Sequence, residues 1–227
     1  LGHDRSAWDI ANAAIQEDAH AIAITSYQGG HDLYFPYVRQ LLDEAGYSHV
    51  RIFGGGGGTI LPHEVETLHE NGISKIYTPE DGRKMGLVGM VKDLMATSSE
   101  VDLISSERLD VLNNSVNASE TGSVALLLTV AENSDEERFQ ETMEKCRTKS
   151  ADEKVPIIGL TGTGGAGKSS LIDETMLRIT RDNPDAKVAL LCTDPTRKRT
   201  GGALLGDRLR MNCLSNPNIF MRSFASR

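Results

Sequence analysis

Residues 155–171 read VPIIGLTGTGGAGKSSL. The apolar run Val155 to Leu160 predicts a buried strand, and Leu171, Ile172, Met176 and Ile179 recur at the spacing of one helix face. Between them, Gly162 to Ser169 fits G-x-x-x-x-G-K-[ST] in full. That loop turns backbone N–H groups toward phosphate oxygens, which requires positions without a Cβ in the way. Gly164, Gly165, Ala166, Gly167, Lys168, Ser169 and Ser170 are therefore the candidate nucleotide-binding residues. Lys168 supplies a point charge to the β- and γ-phosphates and is the candidate catalytic residue. The Ser169 hydroxyl suits Mg²⁺.

Reading toward the C-terminus, Lys187 to Cys192 (KVALLC) predicts a second strand ending at Asp194, and Ile219 to Met221 a further one. A carboxylate at the end of such a strand suits Mg²⁺; an Asx turn before Pro195 is the other reading of Asp194. Arg197, Lys198 and Arg199 face phosphates or a partner, or form a solvated loop. Gly201 and Gly202 imply a mobile segment that could order on nucleotide binding. Asp207 (metal) and Arg208 (nucleotide) could enter the site from it; a plain helix surface is the alternative.

Reading toward the N-terminus, strand and helix signals alternate, which argues for a parallel sheet covered on both faces. Ser6 caps a helix whose apolar face is Trp8, Ile10, Ala11, Ala14 and Ile15. Ala21 to Thr25 is a strand, broken by Gly29-Gly30. Leu33, Tyr37, Val38, Leu41 and Leu42 mark a helix ended by Gly46. Val50 to Phe53 is a strand followed by the glycines 54–58. Pro62 opens a helix to about Asn71, and Ile73 to Tyr77 is a third strand. The helix Gly82 to Met95 carries Met85, Val88, Val91, Leu94 and Met95 as its stripe. Residues 97–154 lack this rhythm. Ser123 to Ala131 and Asp135 to Lys149 read as helices, so the stretch is expected to be a helical linker. The expected organisation is thus α/β: residues 1–96, a linker at 97–154, and residues 155–227.

Composition limits the function classes. Hydrophobic residues at 39% and charged residues at 25% are ordinary for a globular chain, and no apolar run approaches a membrane span. With 24 basic against 32 acidic side chains the net charge is -8, unsuited to general nucleic-acid binding. The three cysteines, Cys146, Cys192 and Cys213, have no C-x-x-C spacing, which points to reduced thiols and a cytoplasmic setting. The histidines show no metal-ligand spacing; His31 follows Gly29-Gly30 and reads as a cofactor contact or a surface residue. The absent initial methionine and the short second α/β half suggest a piece of a longer protein.

The segments GLTGTGGAGKSSL, CTDPTRKRTGGALLGDRLRM and NIFMRS resemble the G-protein chaperones of cobalamin-dependent acyl-CoA mutases, which are P-loop GTPases. The first half is similar to the cobalamin-binding domain of those mutases. There the pattern S-x-L, a spacer and G-G follows an upstream D-x-H-x-x-G. Here Thr25-Ser26-Tyr27 stands at S-x-L, residues 28–53 are a spacer of 26, and Gly54-Gly55 follows. Small residues at adjacent strand ends would leave a slot for a nucleotide tail. The five-glycine run taken alone reads equally as a loop.

The resemblance implies a flavodoxin-like domain with Thr25, Tyr27, Gly29, Gly30, Gly54, Gly55 and Gly56 toward cobalamin, and a GTPase domain with Ser169, Asp194 and Asp207 toward Mg²⁺. D-x-H-x-x-G is absent: 21 residues separate His3 from Thr25, so His3 does not take the axial role. In this family the two domains and a mutase barrel share one polypeptide. That implies adenosylcobalamin and GTP as cofactors, and carbon-skeleton rearrangement of isobutyryl-CoA to n-butyryl-CoA. It also implies an acyl-CoA substrate on the barrel, a cobalamin adenosyltransferase as partner and a homodimer. A nucleotide switch joined to a receiver-like domain without cobalamin, and an ATP-dependent P-loop enzyme, are the competing readings.

Overall fold

The computed structural model describes residues 1–115, 121–133, 137, 139–144, 155–194 and 205–225. The chain divides into two units, Ser6–Ser134 and Leu1–Arg5 with Asp135–Arg227.

The first unit is built on three parallel strands in the order β1 (Ala21–Thr25), β2 (Arg51–Gly55), β3 (Lys75–Tyr77). The register pairs Ala21 with Arg51, Thr25 with Gly55, and Gly55 with Tyr77, so the three strands end together. β2 is central, and Ile52, Phe53 and Gly54 are all buried, as a strand covered on both faces requires. Helix α1 (Ala7–Gln16) starts where Ser6 and Asp9 exchange capping bonds at 3.1 Å. Helix α2 (His31–Glu44) follows Gly30, and α3 (Pro62–Glu70) begins on its proline. Ala7, Ala11, Ala14, Phe35, Val38, Leu42, Ile52, Leu68 and Ile76 belong to the core.

Several expected apolar faces are placed differently. Trp8, Leu33 and Tyr37 are exposed, while Ala13 and Phe35 are buried. Phe35, Val38 and Leu42 share the buried face of α2 at spacings of three and four, and Leu33, two positions before Phe35, points to another side. Helix α4 runs Pro79–Ser98, capped by Thr78 and Asp81, and is kinked at Gly86, where φ is 65°. Its expected stripe is not packed: Val88, Val91 and Met95 are exposed. The kink breaks the helical phase that the spacing presupposes. Asp93 holds its second segment to β3, accepting from Lys75 Nζ at 2.6 Å and Tyr77 Oη at 2.8 Å.

Part of the expected linker joins this unit. Helices α5 (Ser106–Ser115) and α6 (Thr121–Asn133) pack through Leu109, Leu126 and Val130. Tyr47 Oη donates to the Gly122 carbonyl at 3.2 Å, and Arg108 pairs with the fully buried Asp18 at 2.6 Å. Of the helix expected at 135–149, residues 139–144 are helical; positions 134–136, 138 and 145–154 lie outside the described residues.

Beside the Asp18–Arg108 pair, burial first, and then the Arg108 charge, push the His49 imidazole down to about 4. A depressed histidine favours the fold above its unfolded value near 6.5, and that contribution is lost as pH falls through about 4. Thermal melting should therefore drop between pH 6.5 and 4, and His49→Gln should flatten that part of the profile. An unchanged profile would exclude His49 as its source.

The second unit contains α7 (Lys168–Asp182), the parallel pair β4 (Val188–Asp194) and β5 (Ile219–Ala225), and the short helix α8 (Gly206–Arg210). Met176, Met211, Cys213, Ile219 and Met221 form its core. The expected strand Val155 to Leu160 is not formed: the segment is irregular, with Ile157 95% exposed. A strand exists through its ladder, and among the described residues 155–160 pair with neither β4 nor β5. No described helix is long and apolar enough to cross a membrane.

Asp173 on α7 is buried and accepts from Cys213 N at 2.7 Å and the Asn212 amide at 2.9 Å. Burial pushes its carboxyl up, but these hydrogen bonds outweigh it and leave it below its usual value. The Cys213 thiol is pushed up to about 12, by burial and then by Asp173. Asp173→Ala should destabilise the second unit by about 2 kcal/mol at neutral pH. The difference from wild type should shrink as pH falls through the carboxyl's range, which denaturant melts at pH 7 and 3 would measure.

Candidate nucleotide site and glycine rim

The loop before α7 adopts the conformation its glycines permit. Gly165 and Gly167 have φ of 80° and 83°, the left-handed region, with open space where a Cβ would stand. The Ala166 N–H closes a turn on the Thr163 carbonyl at 3.3 Å. The first N–H groups of α7 have no intrahelical acceptor and carry the positive end of the helix dipole. Lys168 Nζ folds back over the loop, donating to the carbonyls of Gly162 at 2.6 Å and Thr163 at 2.8 Å. Its ammonium thus lies against the backbone of the loop itself.

The next residue reaches across the unit. Ser169 Oγ donates to Asp207 Oδ1 at 3.0 Å, although the two are 38 positions apart. The structure brings together Ser169 and Asp207, while the Lys168 ammonium rests on the loop carbonyls; Gly164 lies in the exposed loop and Ser170 is exposed on α7. Asp194 ends β4. Arg208, expected toward nucleotide, is turned the other way. It is buried, and its guanidinium donates to the Met221 carbonyl of β5 at 2.6 Å. Adjacent residues of a short helix project to different sides, so Asp207 and Arg208 do not share a destination. Arg210, which sequence reasoning passed over, instead pairs with Asp207 Oδ1 at 2.8 Å. Its spacing of three from Asp207 was the available signal. Arg197, Lys198, Arg199, Gly201 and Gly202 lie outside the described residues.

In the first unit, Thr25, Gly55 and Tyr77 sit level at the ends of their strands. Thr25 is exposed and Tyr27 is 69% exposed, with its ring 3.2 Å from the position of a Cβ on Gly57. Gly29 and Gly30 have positive φ and open surroundings. Gly54 and Gly56 differ. A Cβ on Gly54 would lie 2.5 Å from Ile76 Cδ1 and 2.6 Å from Phe35 Cε2; one on Gly56 would lie 2.4 Å from the Ser26 carbonyl. The protein's own packing therefore already requires glycine at both. His31 is buried rather than a surface residue, and its Nε2 lies 3.0 Å from Glu64 Oε2. The Leu61 N–H bond, and then His31, hold the Glu64 carboxyl below its usual value.

The glycine loop, lysine, serine hydroxyl and facing carboxylate define a P-loop nucleotide-binding unit. Residues 124–227, from within α6 of the first unit through the whole of the second, match the family described as Methylmalonyl Co-A mutase-associated GTPase MeaB. The whole chain is related to the fused isobutyryl-CoA mutases. It is 46% identical over 234 residues to that of Geobacillus kaustophilus (strain HTA426), covering 100% of this chain and 21% of the relative. It is 47% identical over 228 residues to that of Cupriavidus metallidurans, covering 100% of this chain and 20% of the relative. A putative GTPase of Pyrococcus abyssi is 38% identical over 120 residues, 52% of this chain and 36% of the relative. The chain thus spans about a fifth of the length of the fused mutases it matches.

Proposed function

We propose that the second unit binds and hydrolyses GTP with Mg²⁺, as the chaperone part of a fused acyl-CoA mutase, and that the first unit seats the nucleotide tail of adenosylcobalamin. The observation that carries the nucleotide reading is the Ser169 hydroxyl at 3.0 Å from the Asp207 carboxylate, one residue after the lysine of the loop. Two hard oxygen donors at the start of the helix fit Mg²⁺, and the open left-handed glycines fit a phosphate. Lys168 Nζ exchanges its loop carbonyls for phosphate oxygens and stabilises charge on the transferring phosphoryl group. Ser169 and Asp207 hold the metal, with Asp194 as the further candidate ligand. No residue is assigned as general base; positioning and electrostatics supply the rate. The preference for GTP over ATP rests on the family match.

The cobalamin reading rests on similarity to fused isobutyryl-CoA mutases along the whole chain, and on the level strand ends Thr25 and Gly55 with an open rim. Adenosylcobalamin supplies radical chemistry when bound. The residues here, Thr25, Tyr27, Gly29, Gly30 and Gly55, would only seat its tail, with Gly54 and Gly56 packing beneath them. Rearrangement of isobutyryl-CoA, an acyl-CoA site on a barrel, a cobalamin adenosyltransferase partner, a homodimer and a cytoplasmic setting belong to this proposal for the whole protein.

Two titrations test it. A fluorescent guanine nucleotide should bind with Mg²⁺ and be displaced by GTP in preference to ATP; equal displacement would overturn the guanine assignment. Adenosylcobalamin followed by absorbance should saturate at one per chain. Absence of uptake with nucleotide binding intact would overturn the cobalamin half and favour a nucleotide switch without it.

A further inference from the structure

Asp207 Oδ1 accepts from two groups at once, Ser169 Oγ at 3.0 Å and Arg210 Nη2 at 2.8 Å. The oxygen that the nucleotide reading assigns to a cation is thus already in contact with one. The Arg210 side chain is 69% exposed and that of Asp207 33% exposed, so the pair stands at the protein surface. Lys168 shows the same arrangement from the phosphate side, its ammonium resting on the Gly162 and Thr163 carbonyls. Both charged contacts of the loop are satisfied internally.

We infer that Arg210 is a positioning residue that occupies Asp207 Oδ1 until Mg²⁺ arrives, so that metal binding displaces an internal ion pair. This deepens the nucleotide reading and rests on it. The guanidinium and the metal compete for one oxygen lone-pair region. A guanidinium held by an exposed carboxylate is replaceable at small cost, whereas Arg208 two residues earlier, buried on the Met221 carbonyl, is not. One short helix therefore carries a fixed arginine that anchors it to β5 and an exchangeable one that guards the carboxylate. On exchange, Arg210 is freed beside the phosphate loop, and the position of α8 is coupled to the metal.

The test is the Mg²⁺ dependence of fluorescent GDP binding by the full 227-residue chain, in wild type, Arg210→Ala, Arg210→Lys and Asp207→Asn. Arg210→Ala should lower the Mg²⁺ concentration for half-saturation about two- to fivefold, the range of an exposed ion pair. It should not tighten GDP binding in EDTA. Arg210→Lys should fall close to wild type. An Arg210→Ala half-saturation equal to or above wild type overturns the inference, as does equal tightening without metal. Matching melting temperatures establish that the variants are folded. Failure of the underlying reading looks different: wild type would bind no GDP, or Asp207→Asn would keep the wild-type Mg²⁺ response.

Discussion

Lys168→Ala is expected to weaken GTP binding by about 100-fold and to reduce hydrolysis at saturation by a further factor of about 100. The lysine ammonium folds back over the glycine loop, held 2.6 Å and 2.8 Å from two loop carbonyls. Those carbonyls are weak partners compared with phosphate oxygens, so the side chain is poised to leave them. Charge-assisted hydrogen bonds are each worth about 1.5 to 3 kcal/mol, and a phosphate chain offers two oxygens to the same group. The fold should be indifferent to the change, because the loop is exposed and makes its own turn. Binding measured alongside the melting temperature separates the two effects. A folded Lys168→Ala chain that bound GTP undiminished would remove the phosphate assignment.

Gly56→Ala and Gly54→Ala should each destabilise the first unit by about 2 to 3 kcal/mol with no ligand present. At Gly56 the new methyl would meet the Ser26 carbonyl at 2.4 Å and Thr59 Oγ1 at 2.7 Å. That carbonyl cannot retreat easily: it accepts from Thr59 Oγ1 at 2.9 Å, and the Ser26 N–H is bound to the Gly55 carbonyl at 2.9 Å. At Gly54 the obstruction is the Phe35 ring, which is fully buried. Gly29→Ala makes the contrast. It meets nothing within 4 Å, and with φ at 78° it should cost only about 1 kcal/mol. Denaturant melts of the ligand-free variants measure this. If Gly54→Ala and Gly56→Ala melted like wild type, these glycines would be free of the core, and a ligand would be the only reason for them.

Much of this was legible because local chemistry fixes it. The phosphate loop is encoded by spacing alone, since the turn, the lysine and the hydroxyl lie within eight consecutive residues. The cap at Ser6 and the proline opening α3 are equally local, whereas α4, read from Gly82, starts three residues earlier at Pro79 with Thr78 as its cap. What escaped depends on distant partners. Val155 to Leu160 has a strand's composition, but a strand also needs a neighbour. Nothing within Gly54-Gly55-Gly56 distinguishes a glycine that faces Phe35 from one that faces a slot. Arg208 and Arg210 are chemically alike and two apart, yet one is buried on β5 and the other lies at the surface on Asp207. Residues 97–154 read as a link because no local signal reveals that Tyr47 bonds Gly122 or that Asp18 pairs with Arg108.

The most direct test is a crystal structure of this chain with Mg²⁺ and GDP. The β-phosphate should accept from the N–H groups of residues 164–169, Lys168 Nζ should leave the Gly162 and Thr163 carbonyls for phosphate oxygens, and Ser169 and Asp207 should face the metal. A nucleotide bound elsewhere, with Lys168 still resting on those two carbonyls, would contradict the account.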